Sequence, residues 1–255
     1  MAYEGFSYPT GSGNLPGLNG GFGWNGAWQA VVNGNSSVPG GSLTAGANAP
    51  AGYDAHSAGN AVFTPNGTRT GRHLDTSAGG VFGQKGFIDG NGNIGASGKT
   101  IYISFLQQPN IADNNYYEFE IHRGDLNDPG RIGGLGCDTG GSSSVYLRTP
   151  SIGQNLIGPA STSVSFYVVR VDFMGGNDTV TVYQNPTSAT EPGTPTLVEA
   201  GAGDMSFNGI SFGAYLNNVT VSHDEVRVGM TWADVTAGNA RAAAFVIGPP
   251  KPSLG

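Results

Sequence analysis

The sequence predicts an all-β protein, an antiparallel two-sheet β-sandwich, on three observations. Its 255 residues include 44 glycines and 15 prolines, and only 11% are charged. Long helices draw on Ala, Leu, Glu, Lys and Arg, so this composition starves them, while Gly and Asn supply the positive-φ positions of tight turns. Short segments of alternating or continuous apolar character recur with turn clusters between them. No internal repeat or long linker divides the chain, so about a dozen short strands belong to one sandwich domain over residues 1–247. Residues 248–255, "GPPKPSLG", read as a Pro-rich tail.

The elements follow in order. The first forty-five residues are mostly loop, with extended pieces near 4–8 and 28–32. "AVFTP" is followed by the turn pair Asn66-Gly67 and then "RTGRHLDT". "FIDGNGNIGASG" is turn-rich. "KTIYISFLQQ" is nearly continuous in apolar character, as in a strand buried on both faces. "YYEFEIHRG" alternates, placing Tyr116, Glu118, Glu120 and His122 on one face and Tyr117, Phe119 and Ile121 on the other. "SVYLRT" alternates too. "SVSFYVVRVDFM", "GGNDT" and "VTVYQNP" form a hairpin pattern, and "SFNGISFGAYL" and "NVTVSHDEVRVGMTWADVT" add strands near the end. Helical turns are expected only at "TWADV" and at 240–244.

Bulk properties exclude several functions. A net charge of −7 opposes nucleic acid and anionic membrane surfaces, which need clustered Lys and Arg. No run approaches 18 apolar residues, so no membrane span is predicted. The start, "MAYEGFSYPTGSG", lacks a basic region and an apolar run, and so reads as having no signal peptide. The low-charge, Gly/Asn/Thr-rich surface nonetheless suits an extracellular setting. The single cysteine, Cys137, reads as a small buried apolar residue. Sequons stand at Asn35, Asn66, Asn177 and Asn218.

"YEGFSYPTGSGNLPGLNGGFGWNGAW" near the start, "YVVRVDFMGGNDTVTVYQNP" in the middle and "DMSFNGISFGAYLNNVTVSHDEVRVGMTWADVT" at the end carry a resemblance. The opening is similar to the E-G-F-x-Y…G-x-N-G-G-x-G-W-x-G-x-W start of LamG-like, concanavalin A-like jelly-roll domains. These occur in secreted proteins of planctomycetes and related bacteria, often ahead of a PEP-CTERM sorting tail. The resemblance implies a two-sheet jelly roll and an extracellular, secreted protein. It implies little chemistry, because the fold hosts lectins, adhesion modules, glucanases and lyases alike.

Candidate sites follow from residue types. Glu118, Glu120 and His122 keep the spacing of the E-x-D-x-E strand of family-16 glucanases but place His122 where the terminal acid stands. With Tyr116 and Arg123 nearby, a lyase-like general base is the catalytic option. The plainer expectation is a solvated strand face with cross-strand pairing. For calcium, Asp125, Asn127 and Asp128 form an oxygen cluster in a loop. The jelly-roll resemblance adds Glu4 with Asp224 as a second candidate. For a sugar, Tyr53, Tyr116, Arg123, Tyr146 and Arg148 combine aromatic faces with hydrogen-bonding groups. Trp24 and Trp28 lie in the opening motif and read as a structural plug. The leading expectation is a secreted, non-catalytic, lectin-like carbohydrate-binding module for a cell-surface glycan, with structural Ca²⁺. An assembly protein that self-associates in a surface layer, fibre or virion comes second. A polysaccharide lyase or glycoside hydrolase comes third.

Overall fold

The computed structural model describes residues 1–9, 13–54, 59–112, 116–137, 143–151 and 153–238. His56, the expected turn at 240–244 and the tail at 248–255 lie outside them. The strands are β1 (Ala2–Glu4), β2 (Trp24–Val32), β3 (Val62–Thr64), β4 (Thr68–Leu74), β5 (Thr100–Pro109), β6 (Tyr116–His122) and β7 (Arg131–Cys137). They continue as β8 (Ser144–Arg148), β9 (Asn155–Pro159), β10 (Ser165–Asp172), β11 (Thr179–Gln184), β12 (Leu197–Ala200), β13 (Gly209–Tyr215) and β14 (Val221–Gly229). Two short helices, α1 (Val81–Gln84) and α2 (Trp232–Thr236), interrupt them.

All pairings between these strands are antiparallel, and they build two seven-stranded sheets. Sheet A runs β1-β14-β5-β10-β11-β12, with β3 also on β14; sheet B runs β2-β4-β13-β6-β7-β8-β9. The predicted all-β antiparallel sandwich is therefore the fold. The Asn66-Gly67 turn is present, with Gly67 at φ +76°, but the strands it joins enter different sheets: β3 pairs with β14 and β4 with β2 and β13. The edge of β14 is shared. β3 takes Val221–His223 and β1 takes Val226–Val228, on either side of a bulge where Glu225 has φ +53°.

The inner faces make one core. Ile101, Ile103, Phe105, Val169, Val171 and Val182 of sheet A meet Phe119, Ile121, Leu135, Leu147, Ile210 and Phe212 of sheet B. Phe105 stacks on Phe119 across the gap, with centroids 4.1 Å apart and planes within 8°, a geometry worth about 0.5–1.5 kcal/mol beyond burial. β5, read as buried on both faces, is the central strand of sheet A. Its second face, with that of β10, carries another cluster: Tyr102, Leu106, Phe166 and Val168 lie under Ala45, Ala49, Tyr53, Trp232 and Val235. Thr231 and Asp234 close a capping box that fixes α2 in this roof.

The N-terminal motif is explained by one buried ion pair. Glu4 accepts from Arg72 Nη1 at 2.8 Å, from the Phe6 amide and Tyr8 hydroxyl at 2.9 Å, and from Trp28 Nε1 at 3.2 Å. The Tyr8 hydroxyl accepts from the Gly20 amide, and Trp24 donates to the Tyr3 carbonyl. Trp28 stacks on Phe212. The two tryptophans thus plug the sandwich as the sequence suggests. Cys137 is buried.

Candidate functional site

β6 lies between β13 and β7 in sheet B. Its period-two alternation sends Tyr117, Phe119 and Ile121 inward and Tyr116, Glu118, Glu120 and His122 onto the outer face. That face is polar, as read from the sequence, yet it is not solvated: Glu118, Glu120 and His122 are each 0% exposed. Two features of neighbouring strands cause this. Glycines stand in register beside the acids: Gly213 and Gly136 flank Glu118, and Gly134 faces Glu120. A Cβ on Gly134 would sit 2.6 Å from Glu118 Oε1, so only glycine leaves the carboxylate its place. Arginines from other strands then reach over the acids.

Arg69 of β4 grips Glu120 with Nη2 on Oε1 at 2.8 Å and with Nε 2.8 Å from Oε2, the latter off the hydrogen-bond axis. Arg131 of β7 places Nη1 3.1 Å from Glu120 and 3.5 Å from Glu118, and Arg148 of β8 lies 3.6 Å from Glu118. The Tyr116 hydroxyl donates to Glu118 at 2.5 Å and accepts from Arg131. Ser211 donates its one hydroxyl proton to Glu120 at 2.5 Å, so the 2.8 Å contact with His122 Nε2 must be donated by the imidazole. Burial pushes Glu120 up, but its bond to His122 and the charge of Arg69 outweigh that and hold the carboxyl far below the usual range. Burial, with both glutamates nearby, drives the Tyr116 phenol strongly up, so it stays a donor.

The loop between β6 and β7 covers one end of this face. Leu126 is buried against Gly71 and Gly209. Asp125 accepts from the Asn127 amide, and Asn127 accepts from the Asp128 amide and from Arg69 Nη1 at 2.9 Å. Asp128 lies 2.7 Å from Arg69 Nη1 and 3.6 Å from Arg131. Beside it opens a cavity of about 570 Å³ lined by Val32, Arg69, Tyr116, Asn127, Asp128, Arg131, Tyr215 and Leu216. Neither Glu118 nor Glu120 lines it; the arginines and Tyr116 stand between them and solvent. The Arg69 guanidinium lies over the Tyr215 ring at 5.5 Å, and Tyr215 meets Tyr116 edge-on. Burial raises the Tyr215 phenol to about 12.

The structure brings together only part of the predicted ligand set. Tyr116 and Arg148 join the sheet B network, and Tyr146 shares that face, in register with Gly136. Tyr53 is buried as part of the sheet A roof, its ring 4.3 Å from the Arg227 guanidinium. Arg123 is tied to the carbonyls of Asp204 and Ser206. Nor does the structure pair Glu4 with Asp224. Glu4 is in register with Val226 of the inner core, whereas Asp224 is in register with Leu106 of the outer cluster, so the two side chains leave sheet A on opposite faces. Among the described residues no three His, Cys, Asp or Glu side chains converge as a metal site. Arg69, Arg131, Ser211 and Tyr215 were not singled out from the sequence. The only local hint was "RTGRHL", where Arg69, Gly71 and His73 alternate as an outward face.

No family model matches the chain, and no curated protein does. Solved structures do. The chain is similar to the binding domain of botulinum neurotoxin DC in complex with rat synaptotagmin II, at 11% identity and TM-score 0.50, over 88% of this chain and 50% of that one. It also aligns with the same toxin's binding domain in complex with SialylT (11% identity, TM-score 0.48, 86% and 47% covered). A partial match is the alginate lyase from Corynebacterium sp. (17%, TM-score 0.35, 53% and 60%). The chain spans about half the length of the toxin domains it matches. At these identities the likeness is one of fold, the jelly-roll β-sandwich.

Proposed function

We propose that this chain is a non-catalytic, extracellular carbohydrate-binding module that takes its ligand in the sheet B cavity. The observation that carries this reading is the division of the cavity wall. Val32, Tyr116, Tyr215 and Leu216 bring apolar surface to it; Arg69, Asn127, Asp128 and Arg131 bring hydrogen-bonding groups. A pyranose has the same division, with an apolar C–H face and a rim of hydroxyls, and aromatic rings bury the first while polar groups orient the second. The volume suits one or two sugar rings, within the ordinary range of ligand pockets.

Catalysis by β6 gains no support from this arrangement, because neither buried glutamate reaches the cavity wall and Glu120 is held ionised by its partners. A cation at the Asp125–Asn127–Asp128 loop would have to displace Arg69 from Asn127 and Asp128, and the proposed binding needs no calcium. Titration calorimetry against a panel of neutral and acidic oligosaccharides tests the proposal. At least one should bind, and Tyr215→Ala should weaken it by 10-fold or more while leaving the thermal midpoint within a few degrees. A panel that gives no heat, or binding indifferent to Tyr215, overturns it.

A further inference from the structure

The ionic network beside the cavity has one exposed acid, and the loop supplies it. Three guanidiniums, Arg69, Arg131 and Arg148, bear on two buried carboxylates, Glu118 and Glu120. The exposed acid is Asp128: its carboxylate sits 2.7 Å from Arg69 Nη1 and 3.6 Å from Arg131 Nη1. Its situation differs from that of the other acids. The Asp128 side chain is 65% exposed, whereas Glu118 and Glu120 are fully covered. Arg131 meets its partners through Nη1 alone; its Nε and Nη2 have no partner among the described residues. The loop itself is held by Leu126, packed against Gly71 and Gly209, so Asp128 can swing into solvent without lifting the loop.

From this we propose that Asp128 is a built-in stand-in for a ligand carboxylate, and that the cavity takes a uronic-acid-bearing saccharide whose carboxylate replaces Asp128 on Arg69 and Arg131. The inference rests on the carbohydrate reading and narrows it to an acidic sugar. The exchange is like for like: one carboxylate leaves the guanidinium pair, another arrives, and the buried pairs beneath stay in place. Guanidiniums favour such an exchange because their planar donor fork matches a carboxylate with two bonds. The chain's overall charge of −7 does not forbid it. Charges farther than about 8 Å are largely screened at physiological salt, so the contacts at the arginines dominate. A neutral sugar has nothing to offer in place of Asp128 and must bind beside it.

Asp128 is then an internal competitor, and removing its charge separates the outcomes. Trigalacturonate and cellotriose are titrated into the wild-type protein and into Asp128→Asn, with the thermal midpoint of each recorded. Trigalacturonate should bind wild type at least 10-fold tighter than cellotriose, and Asp128→Asn should widen that preference a further 3- to 10-fold by tightening trigalacturonate. If cellotriose binds as tightly as trigalacturonate, or Asp128→Asn leaves trigalacturonate unchanged or weaker, the uronate inference falls while carbohydrate binding stands. If neither sugar binds either protein, the uronate inference falls, and the wider panel then judges the carbohydrate reading.

Discussion

Sheet A and sheet B share a core but finish their outer faces differently. The outer face of sheet A is roofed by apolar side chains, with Trp232 set edge-on against Tyr102 and Tyr183 and Tyr53 packed on Phe166. Under that roof lies a buried ionic group in which Arg227 pairs with Glu225 at 2.7 Å, Tyr3 donates to Glu225, and Asp224 accepts from Ser42 and Leu43. Among the described residues, the outer face of sheet B has no such roof. Its acids are covered by arginines, whose far sides form a cavity wall. A closed apolar face stabilises and offers nothing to a ligand; a charged face at the edge of water keeps donors available. The binding proposal rests on this contrast.

The contrast can be broken, beginning with the largest effect. Glu120→Ala strands Arg69 and Ser211 beneath the surface, and breaking a buried pair from one side costs about 3–5 kcal/mol; urea denaturation should show a loss of that size. Trp232→Ala should cost about 3 kcal/mol through lost packing. Unlike any effect of the sheet B arginines, that loss should not change with salt.

The two faces also predict opposite pH slopes. Burial, opposed by its bond from Ser42, raises Asp224 to about 8, well above the unfolded value of about 3.9. The folded state therefore holds this proton more tightly. Stability from Asp224 is fully present below pH about 4 and is lost as pH rises through about 8, a fall on the order of a few kcal/mol. Glu120 runs the other way. Its folded pKa is depressed, so its contribution is present above about pH 4.3 and is lost as pH falls below that. Denaturation midpoints from pH 3 to 9 should lose the decline between about pH 4 and pH 8 in Asp224→Asn and the decline below about pH 4.3 in Glu120→Gln. Persistence of either slope would break the assignment. The smallest effect concerns Asp128, whose exposed pair with Arg69 should be worth less than about 1 kcal/mol to stability. Asp128→Asn should therefore unfold almost as wild type does while changing ligand affinity.

Strand signals in this chain were legible because they are local. The alternation in β6 placed Glu118, Glu120 and His122 on one face correctly, and the unbroken apolar run in β5 announced a strand covered on both sides. The Asn66-Gly67 turn was equally readable, but nothing local says that the strands beside it part company into two sheets. The oxygen-rich loop at Asp125–Asn127–Asp128 was visible as a cluster. Its pairing with Arg69 was not, because that contact spans 58 residues.

By itself, then, the sequence determined the β-sandwich, its turns and the face each residue takes, since side-chain direction repeats every two residues whatever the strand pairs with. Only the tertiary structure decided whether a polar face is wet or dry. Glu118 and Glu120 looked solvated and are buried because glycines on β13 and β7 leave room beside them and arginines from β4, β7 and β8 close over them. Glu4 and Asp224 looked like partners and leave opposite faces of sheet A because a register, broken by the bulge at Glu225, sets their directions. Register is a property of strands brought together from distant parts of the chain, and no local pattern records it.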